Sequence, residues 1–189
     1  MARQKIDDVR FFQKPAKELA RDLLGMILCY RTPKNENFRY RIIETEAYSS
    51  EDGALCHDYK DGSLRTVGQL VISGGNGLLI TCSGEDTPDN VLIRGAITGF
   101  FSKPYNLLKS FTLGYNSDEN RMDTKVSDLL ADGSAVWLEK DEYCAPMEPK
   151  TTKRILRTKA DEADEDLRFL LNDPDLESPL FRNLMQSDA

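Results

Sequence analysis

The spacing of apolar residues predicts a helix first and strands thereafter. Pro15 suits a first helical turn, and Leu19, Leu23 and Leu24 recur at helical spacing before Gly25, which can end the helix. Residues 12–29 therefore read as a helix leading into a short apolar strand at Met26–Tyr30. Residues 32–37, Thr-Pro-Lys-Asn-Glu-Asn, form a turn-rich loop, and Phe38–Tyr48 reads as the returning strand of a hairpin.

Residues 49–68 are polar and irregular. A second hairpin is predicted from Gln69–Ile72 and Leu78–Cys82 around Gly74, Gly75, Asn76 and Gly77, because glycine admits the positive φ of tight hairpin turns. A polar loop over Gly84–Asn90 leads into a strand at Asn90–Arg94. A short helix is expected over Tyr105–Phe111 and a strand over Ser134–Glu139. Two more strands, Ile155–Arg157 and Leu167–Leu171, flank an acidic loop. The pattern is α+β, a single mixed domain with antiparallel strands and hairpins over residues 1–172 and a polar tail over 173–189.

At 189 residues with 40% hydrophobic and 30% charged residues, one globular domain is expected. No apolar window is long enough to span a bilayer, and the opening residues lack the apolar core of a secretory signal. The expectation is a cytoplasmic protein with no membrane partner. Cys29, Cys56, Cys82 and Cys144 form no CxxC pair, and His57 is the single histidine. A thiolate zinc site is not expected and an HExxH site is excluded, so neither metal nor cofactor is expected. The net charge of −7 argues against nucleic acid until its distribution is considered. Residues 160–189 hold nine acids and two bases, which leaves 23 of each sign before them. Lys150, Lys153, Arg154, Arg157 and Lys159 form a basic strip that reads either as a solvated segment or as a contact for a phosphate backbone.

The segment richest in chemistry is Arg41–Tyr48. On a strand, Ile43, Thr45 and Ala47 would face inward, with Glu44, Glu46 and Tyr48 on the other face and neighbours roughly 7 Å apart. Two carboxylates beside an aromatic ring can hold a water and stack a planar substrate. The same pattern also fits a solvated strand face. Arg94 directly follows Val-Leu-Ile, so it must snorkel, pair with an acid or bind a phosphate.

Taken together, Ala20-Arg21-Asp22-Leu23-Leu24-Gly25, the run Arg41–Tyr48 with its Glu-Thr-Glu-Ala-Tyr core, Glu51-Asp52 with His57, Val91–Arg94, Ala135–Leu138, Arg154-Ile155 and Leu167–Phe169 resemble the alkyladenine (3-methyladenine) DNA glycosylase family, in order, over roughly residues 16–171. The resemblance implies a metal-free mixed α/β domain that severs the N-glycosidic bond of alkylated or deaminated purines in DNA, a step of base excision repair. It implies that Glu46 activates the attacking water, that Arg94 is a basic group at the catalytic centre, and that Tyr48 and His57 contact the flipped base. A monomer is expected. Such chemistry requires the nucleotide to leave the stack, aromatic faces to replace the lost stacking, and a carboxylate to stabilise an oxocarbenium-like transition state.

The chain departs from the family pattern at several substrate-binding positions. Ser73 and Asn76 stand where the family carries two hairpin tyrosines, one a base-stacking wall and the other a wedge into the duplex. Ser83 falls at a pocket-floor asparagine. The loop between His57 and Gly68 is short, and the lysine of a Ser-Gly-Pro-x-Lys motif is out of register at Ser102–Asn106. Losing two rings weakens flipping by a few kcal/mol, at roughly 1–3 kcal/mol per ring, which points to a bulky lesion, a single strand or a free nucleoside. The alternatives are a hydrolase of nucleosides or other small N-glycosides, and a catalytically silent nucleic-acid-binding protein.

Overall fold

The computed structural model describes residues 3–49, 66–73, 77–83, 89–97, 115–116, 121–122, 125–140, 148–154 and 166–173. The strands are β1 (Gln4–Lys5), β2 (Ile27–Arg31), β3 (Asn37–Tyr48), β4 (Gln69–Ser73), β5 (Gly77–Cys82), β6 (Asp89–Ile97), β7 (Tyr115–Asn116), β8 (Arg121–Met122), β9 (Lys125–Asp128), β10 (Val136–Lys140), β11 (Lys150–Thr152) and β12 (Arg168–Leu170). Ten of them build one antiparallel sheet in the order β1-β10-β2-β3-β6-β5-β4-β9. β12 pairs with β11 on one side and with β3 on the other, and β7 and β8 form a separate ribbon. One edge of β3 is shared: residues 37–41 pair with β2 and residues 44–46 with β12.

The helix α1 (Ala16–Leu23) is amphipathic and buries Ala16, Leu19, Ala20 and Leu23 against β3 and β6. These side chains join Leu28, Tyr30, Ile42, Leu78, Ile80, Val91, Ile93 and Phe169 in the main core. Full burial of each leucine contributes on the order of 1.5–3 kcal/mol. Two polar contacts fix where the helix sits. Thr45 Oγ1, fully buried, donates to the Ala20 carbonyl at 2.8 Å. The Ala16 amide at the helix start donates to Asp89 Oδ2 at 3.3 Å, which satisfies an otherwise orphaned N–H. Gly25 takes φ +81°, and its amide donates to the Ile42 carbonyl, turning the chain from α1 into β2.

Both hairpins, β2–β3 and β4–β5, form as the pattern predicts. The α+β expectation needs correction: among the described residues the molecule is mostly sheet, with one eight-residue α-helix and one 3-10 turn at Val9–Phe11. Three local expectations also change. β6 starts at Asp89 and runs on to Ile97, because Arg94 finds carboxylate partners within the sheet and does not end the strand. The partner of β12 is Lys150–Thr152. Residues 155–157, expected as a strand before the acidic loop, lie outside the described residues, as do the expected helix over 105–111 and the tail beyond 173. Finally, Ile43 does not face the main core, for a reason that also builds the candidate site.

Candidate active site

Ile42 and Ala96, which are register partners, point into the main core with α1. Three residues further along the same two strands, Thr45 and Ile93 are partners on that same side. Strict alternation would put residues 42 and 45 on opposite faces. Register shifts between Ile42 and Glu44, and between Glu44 and Thr45, change the parity. Ile43 is thereby turned into a small separate cluster with Ile97 and Leu171. Glu44, Glu46 and Tyr48 of β3 and Arg94 of β6 gather on the face away from α1. Gly95 makes the crossing possible: a Cβ there would lie 3.2 Å from Glu44 Cβ and 3.3 Å from Ile43 Cγ1.

Glu46 is fully buried. Its Oε2 accepts from the Tyr48 hydroxyl at 2.9 Å and from Arg94 Nη1 at 3.2 Å. Arg94 also reaches back along the strand, with Nε 3.3 Å from Glu44 Oε1. The same Glu44 oxygen accepts from Arg168 Nε at 2.7 Å. Two carboxylates and two guanidiniums thus alternate in a chain Arg168–Glu44–Arg94–Glu46, neutral overall, with a phenol at its end. A buried carboxylate needs such partners, since an unpaired charge in that position costs several kcal/mol. The Tyr48 hydroxyl is held well above the ordinary phenol range by burial, and further by the negative charge of Glu46 that it touches. It therefore stays a donor to Glu46 throughout the neutral range. Arg154 lies over the Tyr48 ring, 4.8 Å from its centroid, while its Nη1 donates to the Ala47 carbonyl at 3.0 Å. Beyond Tyr48 an apolar patch of Val71, Leu79 and Leu92 continues the same face.

Of the seven residues singled out in the sequence, the structure brings Glu46, Tyr48 and Arg94 into contact. Ser83, with φ +62°, sits elsewhere: its Oγ donates to the Lys14 carbonyl at 3.0 Å and lies 3.2 Å from Asp89 Oδ2, on the α1 side. His57 and Asn76 lie outside the described residues, and for Ser73 the backbone alone is described, paired with Gly77 at the end of the second hairpin. Two contributors were not foreseen. Arg168 carried the same signal as Arg94, a cation among the apolar residues of a strand. Arg154 looked like part of a surface strip, yet it is buried beneath Tyr48. Glu44 had been given a place on the right face but no partner.

One face of the antiparallel sheet thus carries a buried, arginine-paired glutamate beside a tyrosine. Residues 10–99 match the family model of the methylpurine-DNA glycosylases. A provisionally named 3-methyladenine DNA glycosylase of Chlorobium phaeobacteroides is 29% identical over 168 residues, covering 79% of this chain and 84% of the relative. One of Natranaerobius thermophilus is 28% identical over 125 residues, and the match spans 60% of each protein. The human DNA-3-methyladenine glycosylase is 43% identical over 49 residues, 26% of this chain and 16% of the human protein. The chain is thus similar to the methylpurine-DNA glycosylases, by family model over residues 10–99 and by modest identity to individual relatives.

Proposed function

We propose that the protein is a DNA glycosylase that hydrolyses the N-glycosidic bond of a damaged purine, alkylated or deaminated, after the nucleotide has left the stack. The observation that carries this reading is the fully buried Glu46 carboxylate, held through one oxygen by Tyr48 and Arg94. Anchoring on Oε2 fixes the plane of the carboxylate. Glu46 takes the proton of the attacking water, and its charge stabilises the cationic sugar as the base departs. Arg94 keeps that charge tolerable in a buried site, and Arg168 does the same for Glu44. Tyr48 gives the flipped base an aromatic face, stiffened from behind by Arg154. A base reaches this face only when the buried cluster opens to it, so the reaction proceeds with little bulk water present, where fixed charges act most strongly. His57 is assigned a contact to the base by family likeness, and the partner is DNA, either a single strand or a duplex with a bulky lesion. The absence of tyrosine at Ser73 and Asn76 favours such a substrate over an intact duplex.

Glu46→Gln is the direct test. The amide oxygen can still accept from Tyr48 and Arg94, so the fold survives. An amide cannot take a proton from water, so base release in single-turnover assays falls by about 10²–10⁴-fold. Wild-type turnover by the folded variant would remove Glu46 from the mechanism. Free modified nucleosides run alongside DNA separate the small N-glycoside alternative. Release of base from nucleosides alone would favour it, and release from neither would favour the silent binding protein.

A further inference from the structure

The cross-strand register carries the Tyr48 face across two further strands. Tyr48 pairs with Asn90 on β6, and Asn90 pairs with Thr81 on β5. Directly paired residues share a face. The neighbours along each strand agree: Leu92 and Leu79 lie in the apolar patch with Tyr48, whereas Val91 and Ile80 lie in the main core. Thr81 therefore stands on the Glu46 face, two strand spacings from Tyr48, or on the order of 10 Å between backbones. It is 1% exposed, and its Oγ1 is buried with no hydrogen-bond partner. A buried hydroxyl in that state costs about 1–3 kcal/mol, and a valine would avoid the cost. The other buried threonine of the described residues is satisfied, Thr45 donating to the Ala20 carbonyl.

We propose that Thr81 is a specificity-determining residue, whose hydroxyl hydrogen-bonds the exocyclic 6-substituent of a purine stacked on Tyr48. The inference rests on the glycosylase reading and adds the substrate class, purines with a polar group at that edge. The apolar walls Val71, Leu79 and Leu92 accept any flat base, so they do not discriminate. A hydroxyl that finds its partner only in the bound substrate does, because an analogue lacking that group leaves it unpaired. Either an oxo or an amino group serves, since a hydroxyl both donates and accepts.

The test removes one side of this contact at a time. Single-turnover base release is measured for hypoxanthine and for unsubstituted purine, each in an oligonucleotide, with the wild type, Thr81→Val and Thr81→Ser. The wild type releases hypoxanthine faster relative to purine. Thr81→Val lowers that ratio by about tenfold, as loss of one hydrogen bond would, and Thr81→Ser keeps it. Thr81→Ala reads the same ratio if the valine variant does not fold. A purely structural role would slow both bases alike. An unchanged ratio in a variant that still releases base overturns the assignment of Thr81 and leaves the glycosylase reading standing. A wild type that releases neither of these bases nor an alkylated purine overturns both.

Discussion

Arg94→Met removes the cation that a fully buried carboxylate and a half-buried one share, and leaves a side chain of comparable length in its place. In the wild type Arg94 lies 3.3 Å from Glu44 and 3.2 Å from Glu46. Removing one partner of a fully buried pair costs about 3–5 kcal/mol. Two observations reduce that figure here. The Arg94 side chain is 27% exposed, and Glu44 keeps Arg168 at 2.7 Å. Glu46, with no exposed surface, keeps the neutral hydroxyl of Tyr48. A loss of about 2–3 kcal/mol at pH 7.5 follows. Arg94→Lys, which can serve only one carboxylate at a time, should lose about 1 kcal/mol. Urea unfolding at pH 7.5 measures both variants. Base release by the methionine variant should fall at neutral pH and recover in part if guanidinium is added to the assay. An Arg94→Met protein as stable as the wild type, with activity intact, would refute the role given to Arg94 in holding Glu46.

Two further outcomes follow from the same geometry. Gly95→Ala puts a methyl 3.2 Å from Glu44 Cβ, and should destabilise the fold by about 1–2 kcal/mol through overpacking; urea midpoints and base release should fall together, since the clash lies against Glu44. The Cys29 thiol is pushed up to about 12, first by burial and then by the nearby Glu139 charge; native protein should resist iodoacetamide at pH 8, where unfolded protein reacts. Because the folded state holds this proton more tightly, the contribution is present below about pH 9 and is lost as pH rises towards 12, with a limiting slope of about 1.4 kcal/mol per pH unit. Cys29→Ala should flatten that alkaline limb, seen as a smaller drop in Tm between pH 9 and 10.5.

Much of this architecture was legible in the chain because its strands are short and cleanly bounded. Gly25 was foreseen as the end of α1, and its positive φ does stop the helix. Both hairpins follow from turn chemistry at residues 32–37 and 74–77 and from the apolar runs beside them. Glu46, Tyr48 and Arg94 were picked out by residue type, spacing and family likeness, and the structure puts them in contact. The errors share one physical origin, which is pairing between residues far apart in sequence. Alternation alone put Ile43 on the core side, since nothing local to β3 announces that its partner β6 changes parity at the same level. Arg154 was read with its charged neighbours because charge density is local, whereas its burial depends on Tyr48, more than a hundred residues earlier.

The parity change between β3 and β6 explains how an otherwise ordinary sheet comes to hold a buried and a half-buried glutamate side by side. A strand that alternates without interruption offers one face to the core and the other to solvent, and carboxylates on its outer face would be hydrated and weak. Here the first half of β3, through Tyr40 and Ile42, and its second half, through Thr45 and Ala47, both address α1. The residues between them turn outward as a consecutive pair, and Gly95 leaves space for Glu44 to close on Arg94. β12 then takes up the edge of β3 that β2 has left, and brings Arg168 opposite Glu46 and beside Glu44. The charges are thus assembled by backbone register on neighbouring strands, with Glu44, Arg94 and Glu46 each held by two others.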